Sequence, residues 1–109
     1  MEYKTPIHGK NFDRIQEMSS YAISVMDDAC LALFKKDYEQ AEKSIESANN
    51  IQKYEKRILD NLKTSKDEEE IFRIRKIVEN IKRVAEYASD IGEIVLNMNI
   101  EKILKKSKV

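Results

Sequence analysis

Apolar residues recur along most of this chain at steps of three and four, the spacing that places side chains on one face of an α-helix. From Asn11 onward, Phe12, Ile15, Met18, Ala22, Val25, Ala29 and Ala32 or Leu33 follow that rule, with Asn11 as the N-cap, and predict a first helix over residues 12 to 36. Asp37, followed three residues later by Gln40, forms a capping-box pattern that breaks the chain without glycine or proline. Tyr38, Ala41, Ile45, Ala48, Ile51 or Gln52, Ile58 or Leu59, and Leu62 predict a second helix that runs to about residue 63. Ser65 and Glu68 repeat the capping signature, and the acids at 67 to 70 favour the positive end of a third helix.

The third helix has the longest seam: Ile71, Ile74, Val78, Ile81, Ala85, Ala88, Gly92 and Val95. A second column, Ile77, Val84, Ile91 and Met98, widens its apolar arc and demands neighbours on two sides. The fold class is therefore all-α, an antiparallel three-helix bundle in which the third helix touches both others. Residues 1 to 10, which hold the single proline and the single histidine, are read as an irregular lead-in. The domain is placed at residues 11 to 99, and residues 100 to 109 as a basic tail that either extends the last helix or frays.

Composition narrows the function. Twenty basic and twenty acidic residues cancel, so no overall field favours nucleic acid. Two glycines and one proline leave almost nothing to turn the corners of a β-fold. The single Cys30 excludes an internal disulfide, and no stretch is apolar enough for a membrane span or a secretory h-region, which points to a cytoplasmic protein with no membrane insertion. His8 stands alone and far from Cys30, and no phosphate loop, nucleophile elbow or zincin motif is present, so the chain is not read as an enzyme.

The chemistry left is acidic and apolar. Glu79, Glu86, Asp90 and Glu93 fall within about 60° of one another on a helical wheel, opposite the apolar seam. Glu86 and Asp90 lie one turn apart, where two carboxylates can share a divalent cation such as iron or zinc if further ligands arrive. The blander reading is a solvated stripe in which Arg83 pairs with Glu79 or Glu86. Met26, Cys30, Leu31 and Phe34 on the first helix, with Tyr87 and Ile94 on the third, lie off the seams and mark a surface for another copy or another protein.

The stretch from Ile81 to Asn97, through Arg83, Val84, Tyr87, Ala88, Ile91 and Glu93, resembles the signature helix of the PhoU family, above all its archaeal members. The junction from Leu33 to Ala41 is similar too, so the resemblance covers residues 12 to 99. It implies a helical regulator that works with a phosphate transporter and its signalling kinase, and in some members holds iron or zinc clusters on E/D-x-x-x-D motifs. Lys82 stands where the family has its first acidic ligand, whereas Glu86-x-x-x-Asp90 keeps the spacing one turn later. A typical member contains two three-helix repeats and this sequence holds one, so a homodimer is expected to restore a six-helix arrangement. Two other readings stand beside the regulator: a metal-binding bundle built on the acidic stripe, and a purely structural oligomerisation module.

Overall fold

A computed structural model describes residues 9–107 and contains four helical segments: α1 (Gly9–Lys35), α2 (Tyr38–Asn49), α3 (Ile51–Leu62) and α4 (Glu68–Ser107). The second and third lie end to end around Asn50 and together make the middle rod of an all-α, three-rod bundle. Residues 1–8, including His8 and most of the expected lead-in, lie outside the described residues.

The first reversal forms as the sequence predicts. Asp37 is extended at φ −90°, ψ 97°, and its Oδ1 accepts the Gln40 backbone N–H at 3.0 Å, which satisfies one of the open donors at the start of α2. Lys36 before it adopts a left-handed φ of 54°, the usual conformation just past a helix C-terminus, and the Asp37 N–H closes back on the Ala32 carbonyl at 2.9 Å. Two reversals follow one another, so α1 and α4 run in the same direction with the α2–α3 rod antiparallel to both. Ala32, Ala41 and Val95 cluster at one end, and Asn61 donates to Asn11 Oδ1 at 2.7 Å at the other.

Helix boundaries differ from the expectations in three places. The first helix starts at Gly9, not at residue 12, and Asn11 caps nothing: its side-chain oxygen is held across the bundle by Asn61. The second helix is interrupted, because the Asn50 N–H bonds the Ser47 carbonyl at 3.1 Å and the Asn50 carbonyl accepts from Lys53 at 3.1 Å, a 3₁₀-like tightening. Consecutive Asn49 and Asn50, both weak helix formers, place that interruption. It lets Ala41, Ser44 and Ala48 on one side and Ile51, Ile58 and Leu62 on the other all reach the core. The last helix begins at Glu68 under Asp67, whose Oδ1 accepts the Glu70 N–H at 3.1 Å, while Ser65 Oγ accepts from the Asp67 N–H within the turn. Asp67 wins because it stands immediately before the acidic first turn, three residues ahead of Glu70.

The core is the predicted seam. Ile74, Val78, Ala85, Ala88 and Val95 of α4 are buried against Met18, Ala22, Val25, Ala29 and Ala32 of α1 and against the middle rod. Small residues dominate the upper half, so the helices approach closely; an added Cβ on Gly92 would lie 2.8 Å from Ile45 Cγ1. Beside them the Tyr21 and Tyr54 rings stack at 4.7 Å between centroids, and the Tyr21 hydroxyl donates to the Ser47 carbonyl at 2.8 Å. At 1.5 Å rise per residue, the 40 residues of α4 extend about 60 Å and the 27 of α1 about 40 Å, so α4 projects past the α1–α2 turn and accounts for most of the 66 Å molecular length.

Candidate functional site

The two candidate surfaces lie on different sides of α4. The middle rod packs against the side of α4 that carries Ala85 and Gly92, where Ile45, Ala48 and Ile51 stand opposite. The acidic residues occupy the outer edge nearer the middle rod. Glu86 and Asp90 border a shallow groove of about 160 Å³ at the α2–α3 junction, with Asn49, Gln52, Lys82 and Ser89 around it. Lys82, on the rim of this groove, pairs with Glu55 of α3 at 3.4 Å.

The other two acids are apart from that groove. Glu79 is paired with Arg83, Nη2 to Oε1 at 3.2 Å, and Glu93 lines no part of the cleft. Both partners of the Glu79–Arg83 pair are about half exposed, so it is worth at most a few tenths of a kcal/mol. Among the described residues no group of three or more histidine, cysteine, aspartate or glutamate side chains is placed to hold a metal ion. Sequence spacing brings Glu86 and Asp90 together; it does not bring a third carboxylate to them.

The apolar candidates lie on α1 and α4. Phe34 is 83% exposed, Tyr87 58% and Ile94 54%, and Cys30 is partly buried. At about 100° per residue, Cys30 and Phe34 share one side of α1, and Tyr87 and Ile94 share one side of α4, each off the buried seam of its helix. Met26 differs from the expectation: it is partly buried and packs against the main core. Ile23, which the sequence reading passed over, is exposed and continues the line 23, 26, 30, 34 at steps of three and four. Its signal is that spacing, which runs beside the Ala22 column of the core seam. Arg73 was missed as well; it is 3% exposed within the first turns of α4, in a position that periodicity alone assigns no special status.

No described helix is long and apolar enough to cross a membrane. Neither the curated proteins nor the solved structures compared with the chain include a match. One protein family does match, described as the PhoU domain, over residues 15–95, a span that begins in α1, takes in both reversals and the acidic groove, and ends at Val95 of the α4 seam. Since the matched span covers most of the chain and takes in parts of all three rods, this all-α chain belongs to the PhoU domain family, whose members are associated with the regulation of phosphate transport.

Proposed function

We propose that this chain is a cytoplasmic, non-enzymatic adaptor that regulates phosphate uptake or a related ion transport system by protein contact, acting as a homodimer and touching a phosphate transporter or its signalling kinase. The observation that carries this reading is the set of exposed large apolar side chains on α1 and α4. Ile23, Tyr87 and Ile94 are each more than half exposed. Large apolar side chains left wet on two neighbouring helices are a cost that a binding surface recovers on association. A twofold pairing would bury the same side chains on both copies and complete a six-helix assembly.

Deletion of the gene in the producing cell tests the role directly. Radiolabelled phosphate uptake should change, and should be restored by the unaltered chain but not by Ile94→Glu, whose circular dichroism spectrum should remain helical. Unchanged uptake in the deletion strain would sink the regulatory reading. A single chain mass by multi-angle light scattering for the unaltered protein at high concentration would sink the homodimer.

A further inference from the structure

The net charge of zero conceals a local basic excess at one end of the bundle. One end of the bundle has the α1–α2 turn with Lys35 and Lys36, next to the projecting part of α4 with Lys102, Lys105 and Lys106. Lys36, Lys102 and Lys105 face a common cleft of about 300 Å³ together with Tyr38, Met98 and Glu101. Asp37, Glu39 and Glu101 are the acids at this end, and the lysines outnumber them. At the opposite end the acids are balanced: Asp67, Glu68, Glu69 and Glu70 at the start of α4 stand beside Lys63, Lys66, Arg73, Arg75 and Lys76.

The basic end is also apolar. Phe34 is the most exposed large hydrophobic residue described, and it directly precedes Lys35 and Lys36. On the projection, Ile100, Ile103 and Leu104 are all about half exposed and share one side of the helix at about 100° per residue, with the three lysines on the other. A basic helix with a separate apolar stripe, beside an exposed aromatic flanked by lysines, is the composition that settles at the headgroup boundary of an anionic bilayer without crossing it. A soluble acidic protein would satisfy the lysines but gives no reason for Phe34 and the isoleucine stripe to point outward at the same end.

We propose that the end formed by the α1–α2 turn and the α4 projection is a peripheral membrane-docking surface whose ligand is an anionic phospholipid leaflet, with the lysines at the phosphates and Phe34, Ile100 and Leu104 at the acyl boundary. The test is co-sedimentation of the full chain with phosphatidylglycerol–phosphatidylcholine vesicles, with pure phosphatidylcholine vesicles, and with soluble polyglutamate as a competitor. Binding is expected to the anionic vesicles alone, to weaken as salt rises, and to persist with polyglutamate at equal charge. Each lysine near an anionic leaflet contributes about fivefold in affinity, so Lys102→Gln, Lys105→Gln and Lys106→Gln combined should weaken binding about a hundredfold. Phe34→Ser, at an exposed site that leaves the fold intact, should weaken it several-fold at unchanged salt dependence. The proposal is overturned if anionic vesicles do not bind, if the triple lysine variant binds as the unaltered chain does, or if polyglutamate abolishes vesicle binding, which would assign the basic end to an acidic protein.

Discussion

Gly92 of α4 and Ile45 of α2 are in contact through the absence of a side chain: a Cβ at position 92 would stand 2.8 Å from Ile45 Cγ1 and 3.0 Å from the Ala41 carbonyl oxygen. Two helices are held at that separation along a seam of small residues, with Ala41, Ala48, Ala85 and Ala88 all buried. Replacing glycine by alanine inside a helix ordinarily gains up to about 1 kcal/mol of helix propensity. Here the contact includes backbone, which cannot rotate away, so Gly92→Ala should instead destabilise by about 1–2 kcal/mol, and Gly92→Glu by more. Urea denaturation of the two variants checks this; a gain in stability for Gly92→Ala would mean that the helices separate easily at this point.

The faces of α4 predict opposite responses a few residues apart. Ala88 is fully buried, and Ala88→Glu introduces a charge with no partner in the seam, with an expected loss of about 3–5 kcal/mol. Glu86 and Asp90 are exposed, so Glu86→Gln with Asp90→Asn should move stability by less than about 0.5 kcal/mol. Circular dichroism melts rank the two variants, and a reversed ranking would contradict the orientation of α4.

Helix capping gives a third test. Asp37→Ala and Asp67→Ala each remove an acceptor for a backbone N–H and should cost about 1 kcal/mol, whereas Asn50→Ala, whose side chain makes no cap bond, should cost almost nothing. Chemical denaturation of the three variants separates true caps from a mere interruption.

The Tyr21 hydroxyl joins α1 to the end of α2 through the Ser47 carbonyl. Tyr21→Phe keeps the stack on Tyr54 and removes only that bond, so the expected loss is about 1 kcal/mol in urea titration, while Tyr21→Ala, which also empties the stack, should lose about 3 kcal/mol or more. Equal losses for the two variants would show that the ring contributes nothing.

What the sequence determined by itself was whatever repeats within a few residues. The α4 seam, the α1 seam and the Asp37 reversal are local: side chains at i, i+3 and i+4 share a face whatever lies beyond, and an Asp side chain reaches its own helix start. The likeness to the PhoU family was legible for the same reason, since its motif occupies consecutive positions of one helix, and the matched family confirms it. Positions that depend on a second rod were decided only by the tertiary structure. Asn11 is an ordinary cap candidate until Asn61 approaches it; Lys82 is a lone charge until it pairs with Glu55; Met26 is surplus apolar surface until it packs against the main core. The break at Asn50 belongs to this group as well, because two weak helix formers permit an interruption while burial of Ala48 and Ile51 on either side holds it in place. Periodicity says which way a side chain points along its own helix, and only packing decides what stands opposite it.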